Sequence, residues 1–471
     1  MHHRRDQAGA SDPVPRPGVR PSGGDRGSPT RVDQRLHARV GAAGGPVRPW
    51  KRLLGRVRPP SSVRRRDVSR TTRVIVVGAG PVGVAAALDA SRRGFRVTLL
   101  ESQGTIDSAP RAATFHPSTL EMVARLGVWD EFVAAGLVAR MVDFWDKPSR
   151  TLVARFDHAV LQDDTEFPFV VQTEQHKLVD IALRRLVGQS DVAVHLSTAV
   201  TGVRQTADSV TVTAVGPEGE RTFEGDFVVG CDGGRSTVRK AVGVEFEGFT
   251  WPERFVVLTA RFDVQRVLDC SYRNYFADPQ AWANLFKVAG DDGLGRWRAV
   301  SPTGVSESDG EAVSDEQSAQ RLGSLVPEAG IEDLVHRNVY HVHQRVASRF
   351  RAGRVFLAGD AAHVNNPIGG LGLNCGVHDA VELMDTLELM PPDRLDESLL
   401  DRYERRRRPL IIEFVQDQTI ANKRRLEEQD PSARLKRQRE LRDTAADPKR
   451  HREFLLRSSL IASVRRSREI A

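Results

Sequence analysis

An α/β fold, its parallel sheet interrupted by an antiparallel β block and closed by helices, is predicted by three observations in the 471-residue sequence. A continuous apolar run, Val74 to Val77, leads straight into a glycine-rich turn and a helical stretch, as a parallel strand buried on both faces would. Over residues 255–301 that pattern gives way to short alternating segments, separated by turn-rich pieces such as Ala277-Asp278-Pro279. A strand of the first kind then reappears at 354–357, so the opening sheet is completed from far along the chain.

Residues 1–70 are rich in Arg, Pro, Gly and Ser, lack hydrophobic periodicity and read as a disordered basic extension. They contain no apolar stretch of the kind a secretory or twin-arginine signal needs. They hold 17 Lys and Arg against 5 Asp and Glu; from totals of 69 and 62 this leaves 52 and 57 for positions 71–471, a net charge of −5. The sequence pI near 9.6 therefore says little about a nucleic-acid surface, and no nucleic-acid partner is expected. No apolar run approaches the roughly 18–20 residues that span a bilayer, so stable membrane insertion is not expected. Cys231, Cys270 and Cys375 form no C-x-x-C pair, which suits buried thiols in a reducing cytoplasm.

Folding signals begin at Arg73. A helix is expected over 81–93, with Val82, Ala85, Ala86 and Leu88 facing the sheet and Gly94 ending it. A second buried strand, 96–100, ends at Glu101 and completes a β-α-β unit of the doubly wound, Rossmann-like kind. Residues 114–126 and 177–186 read as helices, and 192–229 as an antiparallel meander turning at Gly216-Pro217-Glu218-Gly219. Strands are expected at 255–264, 271–276, 282–288 and 296–301, and a helix near 316–325. The expected organisation is 71–250 for the first part of the nucleotide-binding domain, 251–345 for a mainly β domain, 346–400 for the second part and 401–471 for a C-terminal helical segment.

Three motifs carry chemistry. In Gly78-Ala79-Gly80-Pro81-Val82-Gly83, Gly78 permits the tight turn, Gly80 the approach of a pyrophosphate, and Gly83 close helix packing. The helix start supplies free N–H groups, and Glu101 can accept the hydroxyls of an adenosine ribose. Cys231-Asp232-Gly233-Gly234-Arg235-Ser236-Thr237-Val238-Arg239 again follows a buried strand. The third motif, Gly359-Asp360-Ala361-Ala362-His363, lies 282 residues beyond Gly78 when counted to Asp360. A nicotinamide dinucleotide needs no anchor so remote, whereas FAD does, because its isoalloxazine ring must be held against a substrate delivered by another domain. Asp360 can accept a sugar hydroxyl, and amides over 369–376 can stabilise negative charge at the flavin pyrimidine edge.

With these motifs in this order, the chain resembles the flavin-dependent aromatic hydroxylases of the para-hydroxybenzoate hydroxylase fold, which include phenol and 3-(3-hydroxyphenyl)propionate hydroxylases, over about 73–408. The resemblance implies that Glu101 binds the ribose, Arg111 lies near the pyrophosphate and Gln175 is on the ribityl side. It further implies that Asp232, with Arg239 nearby, serves both FAD and NADH or NADPH, and that Asp360 contacts the ribityl chain. Pro367 falls beside flavin and substrate, and Gly372, Leu373 and Asn374 at the ring. The implied activity is hydroxylation of a small aromatic or phenolic substrate: NAD(P)H reduces the flavin, O2 adds at its C4a, and the distal oxygen attacks the ring, with the cofactor carrying the difficult chemistry. Epoxidation or polyketide hydroxylation on the same fold remains an alternative, as does a non-catalytic, redox-responsive flavin protein. The 63 residues after Arg408 leave no room for the thioredoxin-like domain of the phenol hydroxylase branch, and no W-x-W motif of flavin halogenases occurs among six tryptophans. Tyr272 and Tyr275 are candidate substrate contacts on the β domain. No metal site is expected, since His341, His343 and His363 have no acidic or cysteine partners at metal-ligand spacing. The assembly is left open to a homodimer.

Overall fold

The computed structural model describes residues 71–391 and 394–471, so the expected basic extension lies outside the described residues. Arg73–Val77 pairs in parallel with Arg96–Leu100 on one side and Phe227–Gly230 on the other. Val192–His195 and Val355–Leu357 extend the parallel sheet outward, and Arg351–Ala352 closes one edge antiparallel. Val74, Ile75, Val76, Val228 and Val229 are each at most 1 % exposed, as strands covered on both faces must be. The helix Pro81–Arg92 packs on this sheet and against the long helix Gly372–Glu388.

The expected meander is only partly present. Ala199–Gln205, Val210–Gly216 and Gly219–Gly225 form a three-stranded antiparallel sheet, but the flanking Val192–His195 and Phe227–Gly230 belong to the parallel sheet. Phe227–Gly230 is buried throughout, and that continuous burial, rather than alternation, decides its partner. The helix expected from Thr114 starts instead as Pro117–Arg125, because Pro117 fits the first helical turn while Thr114–Phe115 pairs with Val170–Gln172.

An eight-stranded sheet forms the second layer. It contains the expected strands, as Phe246–Ala260, Arg273–Ala277, Ala283–Val288 and Arg296–Pro302, together with Leu334–Ala347. Met141–Asp146 and Thr151–Asp157 also join it, the former parallel to Arg273–Ala277, so the β layer draws on chain well before the expected limit at 251. That limit itself falls inside Phe246–Ala260. The period-2 alternation sorts the sheet into two faces. Val256, Leu258, Phe276, Leu285, Trp297 and Ala299 pack outward with the helix Asp315–Leu325. Phe255, Val257, Tyr275, Phe286 and Val300 share a cluster with Ile368, on the side of the 359–376 motif. Glu397–Ile411 opens the helical C-terminal region, and no helix of the described residues is long and apolar enough to cross a membrane.

Candidate cofactor and substrate site

The three motifs converge. Gly78, at φ +98°, turns the chain so tightly beside the second motif that a Cβ there would lie 2.5 Å from the Cys231 carbonyl oxygen. Arg239, of the second motif, donates from Nη1 to the Ala361 carbonyl at 2.8 Å, in the third. Val82 fits between Gly359 and Gly376, where added Cβ atoms would come within 2.8 and 2.4 Å of its Cγ2. The separation of 282 residues in sequence is thereby closed to van der Waals contact.

Within this junction, some of the groups that a dinucleotide would use are left free and others already have protein partners. Gly80 would set a Cβ into open space, with nothing within 4 Å, although its neighbours Gly78 and Gly83 are hemmed in by backbone. The helix starting at Pro81 has no side-chain cap at its N-terminus. Asp360 makes no hydrogen bond or ion pair with any described residue, and its side chain is exposed. Desolvation by the surrounding protein pushes its carboxyl up, while His363 and then Arg111 pull it back. Glu101 caps the glycine turn through the Ala79 amide at 2.7 Å and its own turn through the Gln103 amide at 2.8 Å. Gln175 begins the helix Gln175–Leu186, half-buried and without a side-chain hydrogen bond to a described residue. Arg111 is exposed and pairs with Asp107 at 2.8 Å.

The third motif is held from beneath by a buried ionic cluster that sequence reasoning missed. Asp379 accepts from the Gly359 amide at 3.1 Å, from His363 Nε2 at 2.7 Å and from Arg407 Nε at 2.7 Å. Burial alone would raise the Asp379 carboxyl, but Arg407 and then His363 hold it below its usual range. His363 therefore does have an acidic partner, sixteen residues on, and the pair is structural; no group of potential metal ligands occurs among the described residues. Sequence offered little signal, since the helix Gly372–Glu388 also carries His378, Glu382 and Asp385.

At the 369–374 turn the expected contacts are redistributed. Leu373 packs into the core, and Asn374 is fully buried. The Asn374 side chain accepts from the His116 amide at 2.8 Å and donates to the carbonyls of Thr114 and Gly370 at 2.8 and 2.6 Å. What the turn presents outward is backbone: Gly372 opens a helix that has no side-chain cap. Pro367 is exposed above it.

Asp232 and Arg239, expected to serve both FAD and NADH or NADPH, have partners within the protein. Asp232 caps the helix Thr237–Ala241, accepting from the Thr237 and Val238 amides at 2.7 and 3.0 Å and from the Ser236 hydroxyl at 2.5 Å. Arg239 is 4 % exposed, donates to two carbonyls and lies over the Phe246 ring. The expected pair of substrate tyrosines is split by the pleat: Tyr272 packs toward the outer core, while Tyr275 joins the cluster containing Ile368 and stacks on Phe144.

The open face of Gly80, the uncapped helix starts and the partnerless Asp360 carboxylate fit FAD, with Glu101, Gln175 and Asp360 available to its sugar and ribityl hydroxyls. Asp360→Ala should remove a polar anchor worth about 1–3 kcal/mol, a loss of roughly 5- to 150-fold in FAD affinity. Flavin absorbance after exhaustive dialysis measures it, and undiminished occupancy would remove Asp360 from the site.

Comparison with known proteins points the same way. The chain is 33% identical over 366 residues to para-nitrophenol 4-monooxygenase of Pseudomonas sp. (strain WBC-3), covering 77% of this chain and 89% of that one. The crystal structure of p-nitrophenol 4-monooxygenase from Pseudomonas putida DLL-E4 superposes with TM-score 0.77 at 32% identity, over 82% of this chain and 97% of that chain. A ternary complex of aklavinone-11 hydroxylase with FAD and aklavinone is similar at TM-score 0.64 and 26% identity, over 75% and 69% of the two chains. Residues 71–418 match the FAD binding domain family model, and with the three motifs gathered at one junction the chain belongs to that family, as an FAD-dependent monooxygenase of the aromatic hydroxylase type.

Proposed function

We propose that this protein uses NADH or NADPH and O2 to hydroxylate a small phenolic compound bound between the 367–374 turn and the inner face of the eight-stranded sheet. The observation that carries this reading is the meeting of the glycine turn with the Gly359 turn that bears Asp360, beside the face that bears Tyr275 and Phe286 over Ile368. FAD, when bound, supplies the redox chemistry and the activation of oxygen. The chain's part is to hold the flavin by the groups named above, to present uncapped amides at Gly372 toward developing negative charge, and to shield the ring with apolar side chains. A cytoplasmic setting belongs to the same reading, since Cys231, Cys270 and Cys375 are free.

Oxygen consumption by the FAD-loaded protein, with NADH or NADPH and a panel of phenols, tests the proposal. A phenol-stimulated rate with hydroxylated product is expected. NAD(P)H oxidation that no phenol stimulates and that yields only hydrogen peroxide would count against it.

A further inference from the structure

Most buried arginines of the described residues have evident partners. Arg407 pairs with Asp379, Arg351 with Glu397 and Asp401, and Arg298 lies 3.7 Å from Glu174. Arg273 differs. It is 7 % exposed, forms no ion pair among the described residues, and its guanidinium makes one hydrogen bond there, from Nη2 to the Tyr275 hydroxyl at 3.3 Å. Asp143, on the adjacent strand, is in register with Asn274 and so lies on the opposite face, where it takes Arg155 at 2.8 Å and the Ser271 amide at 2.7 Å.

Two titratable groups near Arg273, His116 and His158, supply no negative charge. His116 and His158 are each 1 % exposed, and both are held neutral by burial and then by the positive charge of Arg273, His158 down to about 3. His116 Nε2 lies 2.8 Å from the Gly369 carbonyl, to which it must donate, so its Nδ1 is a bare, buried acceptor without a partner. Tyr275 shares its cluster with Ile368. Arg273 is thus an unneutralised cation on the face that looks toward the 367–370 turn. A buried charge without a counter-charge is costly, and removing either member of such a pair is what normally exposes that cost.

Resting on the functional reading above, we propose that Arg273 anchors an ionised oxygen of the substrate, so that the enzyme takes its aromatic compound as a phenolate. The phenol's proton leaves to solvent and the guanidinium receives the charge. Ionisation also makes the ring more electron-rich, as an electrophilic hydroxylation requires.

The test uses FAD-loaded protein and two probes of nearly equal shape, 4-nitrophenol at a pH where it is ionised and its uncharged methyl ether, 4-nitroanisole. Affinities are read from the perturbation of the flavin spectrum. Wild type should prefer the anion, and Arg273→Met should weaken it about 10- to 150-fold while changing 4-nitroanisole little. Arg273→Lys, which keeps the charge and guards against a folding defect in the Met variant, should restore part of the preference. A wild type without preference, or a flavin-loaded Met variant that loses both probes equally or neither, overturns the anchor. Binding of neither probe by wild type, together with no phenol-stimulated oxygen uptake, fails the hydroxylase reading itself and the anchor with it.

Discussion

Replacing Arg407 by Met should cost about 3–5 kcal/mol of stability, because it strands a buried carboxylate without its strongest partner. Asp379 is fully buried, Arg407 is 2 % exposed, and the pair meets at 2.7 Å. The damage should reach the cofactor, since Asp379 also holds the Gly359 amide and thereby sets the turn that carries Asp360. The pH dependence has a definite sign. In wild type the depressed Asp379 contributes stability that is present above the ordinary carboxylate range and is lost only as pH falls through its lowered value. In the variant, burial would no longer be offset by Arg407 and would raise Asp379. The folded state then binds a proton there, so the variant's deficit should shrink as pH falls from neutrality through the raised carboxyl. Thermal unfolding of both proteins across that range measures it. A deficit that does not change with pH would show that Asp379 is already neutral in wild type.

The parallel strands and the three motifs were legible because each is a local pattern: an apolar run, a glycine turn, an Asp at a strand end. Their convergence was legible only through order along the chain and resemblance. What escaped was set by partners distant in sequence. The Arg407 and Asp379 pair spans 28 positions, and nothing near Asp379 marks it as a foundation for Gly359. Asn374 looked like a ring contact, yet its amide ties the 114–116 segment to Gly370. Asp232, expected at the cofactors, also caps the helix that follows it. Local spacing cannot tell a carboxylate that waits for a ligand from one already satisfied, and only the hydrogen-bond census separates Asp360 from Asp232. Arg273 was hidden in another way: a charge inside an alternating strand reads as a solvent-facing position until the sheet is seen to be covered on both faces.

Gly83→Ala and Gly80→Ala should fail in different ways, although both remove a glycine from one turn. At Gly83 a Cβ would fall 1.8 Å from the Gly78 carbonyl oxygen and 2.9 Å from its carbon. These are backbone atoms, so no side chain can swing aside, and the helix must separate from the strand that feeds it. Overpacking of this kind costs about 1–3 kcal/mol and more when backbone must move; here the displaced segment is also the expected pyrophosphate seat. Gly83→Ala should therefore lower the melting temperature of the FAD-free protein and abolish flavin retention together. At Gly80 φ is −65°, an ordinary value, and a Cβ would meet nothing within 4 Å. The FAD-free Gly80→Ala protein should melt with wild type, while its methyl group occupies the space a pyrophosphate needs and weakens FAD binding. Melting curves with and without added FAD separate the two outcomes. A Gly80→Ala protein that retains flavin as wild type does would move the pyrophosphate away from this turn, because the open side of Gly80 is what reserves the place for it.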